Sequence, residues 1–191
     1  MTTGTRQARK GDTRQRIKDV ALRLFVELGY EKASLRGIAE QLDVTKPALY
    51  HHFKTKEDIL VSLFQDVDTE IDELIAWGQE QPRTVETKRE LLSRYGAVLN
   101  RATPLFVFQQ ENQAVLRGLS VGRKSQNRLG TLSGLITDLD APLPDRVRTL
   151  VALLALHFGT LNLPSLEGDP EEKFTELLDV AVQLLPASPA P

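Results

Sequence analysis

The sequence predicts an all-α protein with an N-terminal three-helix domain that contains a helix-turn-helix and a larger helical domain after it. Apolar residues recur at the three- and four-residue spacing of amphipathic helices, and no stretch alternates convincingly between apolar and polar residues as a half-buried strand would. Capping residues, glycines and prolines divide the chain into about nine such segments. Two of these segments, near the N-terminus, are separated by only a few residues, which is the spacing of a helix-turn-helix.

The first predicted helix begins at Asp12, because Gln15 follows three residues later in a capping box, and it ends at Gly29. Its apolar face comprises Ile17, Val20, Ala21, Leu24 and Leu28. The preceding residues, 1–11, are polar and basic, and we expect a flexible arm. Over residues 1–18, six basic residues and one acid fit either a solvated tail or an arm that contacts DNA phosphates or the minor groove.

The helix-turn-helix pair is predicted at residues 34–42 and about 46–53. Leu35, Ile38, Ala39 and Leu42 form the inner face of the first helix. Two of its positions are unusual. Gly37 lies inside a helix, where it allows a close approach to DNA or a neighbouring helix or is simply tolerated. Asp43 occupies the turn position that glycine usually takes, so we expect it to adopt a positive φ or to cap the second helix.

The second helix of the pair has inner and outer faces of different chemistry. Val44, Leu49 and Phe53 are predicted to face inward, which leaves four polar or ring-bearing residues facing out. Lysine donates to guanine edges or phosphate, a proline ring packs on a thymine methyl, and tyrosine and histidine donate to phosphate. The outward residues are Lys46, Pro47, Tyr50 and His51, with Arg36 in the preceding helix and Lys54 and Lys56 as a second phosphate-binding corner. Pro47 places the helix start at itself, or at Lys46 if Thr45 is the cap.

The remaining helices follow from caps and breaks. Thr55-Lys56-Glu57-Asp58 is a capping box that opens a long helix ending near Trp77-Gly78. A helix at about 84–101 is expected to stop before Pro104, and two more are expected at 104–118 and 120–140. An apolar helix at 145–163 follows Pro142 and Pro144. Asp169-Pro170-Glu171-Glu172 opens the last helix, and residues 187–191 are expected to be a disordered tail.

Composition restricts the possible functions. The chain has 191 residues, 41% hydrophobic and 26% charged, with no cysteine and three histidines. Disulfides and thiolate metal sites are therefore excluded, and we expect no metal or other cofactor. Phosphate-binding loops, serine-hydrolase elbows and zinc-protease motifs are absent, so we do not expect an enzyme. The N-terminus has no apolar signal-peptide segment, and the longest apolar run, 150–156, is short, so we expect a cytoplasmic protein.

The charges are unevenly distributed. Residues 1–60 contain 12 Lys/Arg and 8 Asp/Glu, a net charge of +4, whereas the remaining residues carry −6. A basic first third attached to an acidic body is typical of a polyanion-binding module, although a charge of +4 over 60 residues also arises by chance.

The segment GYEKASLRGIAEQLDVTKPALYHHFKTKEDIL, with LFVELGY before it, closely resembles the DNA-binding domain of TetR-type transcriptional regulators over about residues 13–65. The resemblance implies domains at 12–56 for DNA binding and at 57–186 for effector binding and dimerisation. It implies a homodimeric repressor, associated with the bacterial nucleoid, that a small molecule releases from a palindromic operator. The positions that commonly touch DNA in the family correspond to Arg36, Thr45, Lys46, Pro47, Tyr50, His51, His52 and Lys56.

The larger domain is expected to hold the dimer interface and the effector pocket. The helix at 145–163 is apolar almost all round and, with the last helix, could form half of a two-fold four-helix bundle. The predicted interface is Leu150, Leu153, Leu154, His157, Leu161, Phe174, Leu177, Leu178, Ala181 and Leu185. The predicted pocket is Phe64, Trp77, Tyr95, Phe106, Phe108, Gln109, Gln110 and Asn162. Burial of these residues within one chain is the alternative in both cases.

Two other interpretations of function remain open. The helix pair could serve only for packing. Alternatively, the protein could be a regulator of the same fold that is ligand-blind, activates transcription or responds to a protein partner. The sequence identifies neither the effector nor the operator.

Overall fold

The computed structural model describes residues 4–116 and 125–186, and these residues form nine α-helices and one 3-10 helix, with no strand among them. The all-α prediction is therefore confirmed. The α-helices are α1 Gly4–Leu28, α2 Leu35–Gln41, α3 Lys46–His52, α4 Lys56–Glu80, α5 Val85–Glu111, α6 Gln113–Leu116, α7 Ser125–Ile136, α8 Leu143–Asn162 and α9 Pro170–Gln183, with the 3-10 helix at Leu163–Ser165.

The described residues divide into two compact units. The first comprises residues 4–66 and 107–116, and the second comprises residues 67–106 and 125–186. The boundary lies inside α4, ten residues beyond the predicted one at 56/57. The C-terminal end of α5 groups with the helix-turn-helix rather than with the second unit. The predicted tail at 187–191 lies outside the described residues.

The first helix differs from its prediction. The backbone is helical from Gly4, so Asp12 is inside α1 rather than its cap, and the predicted flexible arm is part of a helix from residue 4 onward. Arg, Gln, Ala and Lys between Gly4 and Asp12 are good helix formers, which explains why the helix continues past the polar cap signal. Ile17, Ala21 and Leu24 are buried as predicted, whereas Leu28 is exposed at the helix end.

Two helices continue beyond their predicted breaks. Helix α4 includes Gly78 and ends at Glu80, and α5 continues through Pro104 to Glu111. An interior proline costs about 3 kcal/mol because it lacks the N–H that would bond the carbonyl four residues earlier. Leu99, Ala102 and Leu105 are buried on both sides of this proline, so packing of the helix face offsets that cost. The described part of the predicted helix at 104–118 is thus the end of α5 and the short α6, and residues 117–118 lie outside the described residues.

The capping predictions for α4 and α9 agree with the structure. Thr55 Oγ1 accepts a hydrogen bond from the Asp58 amide (3.0 Å), and Asp58 Oδ2 accepts one from the Thr55 amide (2.9 Å), which completes the predicted capping box of α4. Asp169 Oδ1 accepts hydrogen bonds from the amides of Glu171 and Glu172, both at 3.0 Å, at the start of α9. These local signals fixed both helix starts.

The second unit is held together by an apolar core and by ion pairs along α4. The core is formed by side chains of α4, α5, α7, α8 and α9, with Ala152, Leu156 and Ala181 fully buried. Arg128 of α7 pairs with Asp68 (2.8 Å) and Asp72 (2.6 Å), and Arg101 of α5 pairs with Glu70. Helix α7 is therefore fastened to the acidic side of α4.

Helix α8 is buried on one side only. Thr149 and Thr160 are buried on this side. Their hydroxyls do not lack partners there, because they donate to carbonyls one turn earlier, at 2.9 and 2.7 Å. The opposite side leaves apolar side chains in solvent, namely Leu143, Val147, Leu150, Val151 and Phe158. By length and hydropathy, residues Leu143–Ser165 could also cross a membrane, although 28% of its 18-residue apolar window is buried inside the protein.

Candidate nucleic-acid interface

The turn between α2 and α3 is closed by Asp43, which has φ = +52°. The Asp43 amide donates to the Glu40 carbonyl (3.2 Å) and the Val44 amide donates to the Ala39 carbonyl (3.1 Å). These two bonds form a Schellman motif, in which the left-handed residue is usually glycine. The prediction of a positive-φ aspartate is confirmed. Capping of α3 falls to Thr45 instead, whose Oγ1 accepts from the Ala48 amide at 3.4 Å.

The start of each helix in the pair is fixed by a hydroxyl cap. Ser34 Oγ accepts from the Gly37 amide (3.1 Å), and Thr45 caps a helix that begins at Lys46 with Pro47 in its first turn. Of the two predicted starts, the one with a Thr45 cap is the observed one. A Cβ built on Gly37 would lie 3.5 Å from Ser34 Oγ, an ordinary contact, so no neighbour within this chain requires glycine there.

The two faces of α3 are divided as predicted. Leu49 and Phe53 are buried, with 0% and 2% of their surface exposed, and Val44 is half-buried. Lys46, Pro47, Tyr50 and His51 are exposed, whereas His52 is half-buried and lies edge-on to His51. The buried pair holds α3 in place while a lysine, a proline ring, a phenol and an imidazole are presented to solvent. Such a surface can contact both base edges and phosphates.

Arg36 lies on the exposed side of α2. Its Nε is 2.7 Å from Glu40 Oε1, and that carboxylate raises the pKa of the guanidinium above its ordinary value. A DNA phosphate would have to compete with Glu40 for this cation, and solvent weakens the attraction within such an exposed pair.

The predicted phosphate-binding corner is partly used for internal contacts. Lys54 Nζ donates to the Tyr50 carbonyl (2.8 Å) and stays exposed. Lys56 Nζ donates to the Tyr30 carbonyl (2.8 Å) and lies 4.2 Å from the centroid of the Tyr30 ring, so its side chain is only 21% exposed. Lys56 therefore has an internal role, because it bonds the loop after α1 to the start of α4. Sequence reasoning missed this role because the two residues are 26 positions apart.

Arg14 is a further residue whose contacts the sequence did not indicate. From the sequence it was only one of several basic residues near the N-terminus. In the structure its guanidinium contacts the end of α3 and a buried hydroxyl of α4. A cavity of about 500 Å³ lies beside it, lined by residues of α1, α3, α4 and the loop before α4, including His52, Lys54 and Gln65. The contacts of a charged side chain leave no periodic pattern in the sequence, so residue spacing could not reveal this role of Arg14.

The residues predicted for an effector pocket do not form one cluster within either unit. Four of them, Phe64, Phe108, Gln109 and Gln110, belong to the first unit; Trp77, Tyr95, Phe106 and Asn162 belong to the second. Phe108 is buried against Phe25 and Tyr30, at ring-centroid distances of 5.8 and 6.0 Å. Gln110 and Asn162 are exposed. For Phe108 the structure favours a role in the core, because its side chain is buried.

Tyr95 and His157 form a polar pair in the second unit. Tyr95 Oη and His157 Nδ1 share a hydrogen bond of 2.6 Å between α5 and α8. Burial raises the pKa of Tyr95 and lowers the pKa of His157, so both side chains are neutral near pH 7. This contact satisfies the polar atom of a buried tyrosine.

A small cavity of about 240 Å³ in the second unit is lined by none of the predicted pocket residues. It lies between the α4–α5 loop and the end of α7, among Gly78, Gln79, Gln81, Pro82, Arg83, Thr87, Lys88 and Leu135. Ligand pockets usually measure about 300–1,000 Å³, so a typical effector would need a larger volume than this cavity provides.

The predicted dimer residues fall into two groups. Leu153, Ala181 and Leu185 are buried in the core of the second unit, so these three assignments are corrected: their surfaces are already covered within one chain. Leu150 is exposed, and the remaining residues are half-buried: Leu154, His157, Leu161, Phe174, Leu177 and Leu178. Val147, Val151, Phe158 and Val180 are exposed apolar residues on α8 and α9 that the prediction omitted.

The helix pair falls within a known family domain. The model described as bacterial regulatory proteins of the tetR family matches residues 17–63. The HTH-type transcriptional regulator AcrR of Shigella flexneri is 44% identical over 63 residues, which are 33% of this chain and 29% of that protein. The chain thus spans less than a third of this relative's length.

Solved structures resemble most of the chain in fold. A transcriptional regulator of the TerR/AcrR family from Aquifex aeolicus VF5 has a TM-score of 0.62 at 21% identity, covering 87% of this chain and 96% of that one. AibR, solved in complex with isovaleryl coenzyme A and operator DNA, has a TM-score of 0.57 at 20% identity, covering 90% and 97%. At these identities the likeness shows a shared fold.

Proposed function

We propose that this chain, whose residues 17–63 form a TetR-type DNA-binding domain, is a homodimeric transcriptional repressor that a small molecule releases from a palindromic operator. The observation that carries the proposal is the division of α3 into a buried face and an exposed polar face. Leu49 and Phe53 fix the helix, and Lys46, Pro47 and Tyr50 are presented outward. A helix pair that served only for packing would not need a cluster of hydrogen-bond donors on its exposed surface.

The DNA contacts that we propose are of two kinds. Lys46 and Pro47, in the first turn of α3, are placed to contact base edges, whereas Tyr50, His51 and Lys54 are placed to contact phosphates. Arg36, Thr45, His52 and Lys56 complete the proposed surface. For Lys56 a phosphate contact would be additional to its bond with the Tyr30 carbonyl.

The exposed apolar side of α8 supports the proposal of a dimer. Val147, Leu150, Val151 and Phe158 lie on it, and Val180 of α9 is exposed as well. An exposed apolar face of this kind is typical of a protein–protein or membrane interaction site, which supports a dimer proposal. A membrane-spanning role fits less well, because the other side of the same helix is packed in the core of the second unit. A two-fold dimer would present two reading helices to two half-sites of a palindrome.

An acyl-coenzyme A or another small molecule is a candidate effector class, because AibR was solved with isovaleryl coenzyme A. The second candidate function is a regulator of the same fold that responds to a protein partner or acts as an activator. We propose that the protein acts in the cytoplasm, where its operator would lie.

The test is selection of DNA by the purified full chain from randomised and genomic duplexes. We expect enrichment of a palindrome whose half-sites lie one helical turn apart or a multiple of it. Tyr50→Ala should weaken binding to all duplexes while the variant remains folded and dimeric. Failure to enrich any duplex would overturn the proposal. Subsequent screening of acyl-coenzyme A compounds for release of the enriched duplex tests the effector, and release by none of them would favour the ligand-blind alternative.

A further inference from the structure

We propose that Arg14 is the positioning residue that holds recognition helix α3 in register with DNA bases, a role that rests on the proposed function. Arg14 lies on α1, outside residues 17–63 that match the family model. Its Nη1 donates to the His52 carbonyl (3.2 Å), and its Nη2 donates to Ser62 Oγ (3.1 Å). The guanidinium carbon also lies 4.1 Å from the centroid of the Phe53 ring. One side chain thereby joins α1, the end of α3 and α4.

The end of α3 depends on such external donors. The helix has seven residues, Lys46–His52, and the last carbonyls of any helix have no partner inside it. Two cations supply donors here: Lys54 bonds the Tyr50 carbonyl and Arg14 bonds the His52 carbonyl. Positive charge at this end also complements the helix dipole. Lys54 lies two residues after α3 in the chain, whereas Arg14 ties this end of α3 to a different helix, α1.

The anchor points of Arg14 are rigid. Ser62 is 5% exposed and Phe53 is 2% exposed, so both are fixed by the core of the first unit. The planar guanidinium bridges two acceptors while it packs on an aromatic face, a geometry that the single ammonium of lysine does not reproduce. The contacts therefore require arginine rather than a positive charge alone.

Contacts with base edges and contacts with phosphates tolerate a shift of α3 to different degrees. Base-edge hydrogen bonds need side chains held to within about 0.5 Å, so a shift of α3 weakens them strongly. Phosphate contacts, which provide most non-specific affinity, depend mainly on charge. Loss of the Arg14 anchor should consequently reduce discrimination between sequences rather than general affinity for DNA.

The experiment compares Arg14→Lys, Arg14→Met and Ser62→Ala with wild type and with the control Arg16→Met, an exposed basic residue of the same helix. The probes are the duplex most enriched by the wild-type chain and a scrambled duplex of equal length and composition. Dissociation constants are measured at several salt concentrations, and thermal unfolding is followed by circular dichroism.

For Arg14→Lys and Arg14→Met we expect about tenfold or greater weakening on the selected duplex, from lost base contacts, and no change on the scrambled duplex. The salt slope on scrambled DNA should remain that of wild type. Ser62→Ala, which removes an anchor without changing charge, should lower the ratio of selected to scrambled affinity in the same direction. Arg16→Met should leave this ratio unchanged.

Three results would overturn the inference. If Arg14→Lys binds both duplexes as wild type does while Arg14→Met weakens both and lowers the salt slope by about one, Arg14 contacts phosphate. If Ser62→Ala and Arg14→Lys are folded and keep the wild-type affinity ratio, Arg14 does not position α3, whatever the stability of Arg14→Met. If the wild-type chain enriches no duplex, the proposed function fails and the inference with it.

Discussion

At the scale of single residues, Asp43 has a left-handed backbone conformation and an exposed carboxylate next to α3. The conformation costs an ordinary L-residue about 1–2 kcal/mol, and Asp and Asn somewhat less. If the chain binds DNA as proposed, a phosphate about 10 Å from this carboxylate would be repelled by about 0.4 kcal/mol in water. The turn therefore opposes both stability and DNA binding to a small extent.

The two effects of Asp43 can be separated by two substitutions. Asp43→Asn retains tolerance of positive φ and removes the charge, so we expect unchanged stability and about twofold tighter DNA binding at low salt. Asp43→Gly should in addition stabilise the fold by about 0.5–1 kcal/mol in urea unfolding. Equal affinities of wild type and Asp43→Asn at low salt would show that the carboxylate lies too far from the phosphates to matter.

Gly37 is the other unusual residue of the helix pair, and its substitution decides why glycine is there. Space for a Cβ exists within the chain, so Gly37→Ala should stabilise α2 by up to about 1 kcal/mol in urea unfolding. If DNA approaches this backbone closely, the same variant will bind DNA more weakly despite its greater stability. Unchanged DNA affinity would mean that glycine is only tolerated.

At the scale of helices, α8 and α9 pack closely at Gly159. A Cβ on this residue would lie 2.7 Å from Leu177 Cδ1, whereas a Cβ on Gly134 in α7 meets nothing within 4 Å. Gly134→Ala should therefore stabilise the protein by up to about 1 kcal/mol, whereas Gly159→Ala should gain less or lose stability because the Leu177 side chain must move to admit the added methyl group. Urea unfolding of the two variants with m-values checks this, and equal stabilisation by both substitutions would contradict the close crossing.

The contact between α5 and α8 through Tyr95 and His157 predicts a pH dependence of stability. Burial lowers the pKa of His157 in the folded chain, so below about pH 6.5 the unfolded chain takes up a proton that the folded chain resists. Stability should be full above the unfolded pKa and fall as the pH decreases towards the folded pKa. His157→Gln should flatten this part of the stability curve, and a curve that keeps the wild-type shape would contradict the role of His157.

At the scale of the whole molecule, the exposed apolar side of α8 predicts a dimer that a single charge would disrupt. Phe158 is 54% exposed and Val151 is 44% exposed. Phe158→Glu should therefore give a folded monomer by sedimentation velocity, while Asn100→Glu, an exposed site on α5, should remain dimeric. The monomer should bind one half-site as wild type does and lose the additional affinity for the full palindrome. A wild-type chain that sediments as a monomer would exclude the interface.

Much of the local structure could be predicted from the sequence because its causes are local. The caps at Thr45, Thr55 and Asp169 and the positive φ of Asp43 depend on residues within a few positions of one another. The identity of the outward residues of α3 followed from helical spacing once Leu49 and Phe53 were assigned to the core. The family likeness was likewise carried by a continuous stretch of the first unit.

The tertiary structure decided what depends on residues distant in sequence. Pro104 remains inside α5 because buried neighbours on that helix offset its cost, and Leu153, Ala181 and Leu185 lie in the core rather than at an interface. Lys56 is engaged by a loop 26 residues away, and Arg14 bonds the end of α3 from 38 residues away. Periodicity reports which side of a helix is apolar, but only packing determines which element covers that side and which charges are already bound within the chain.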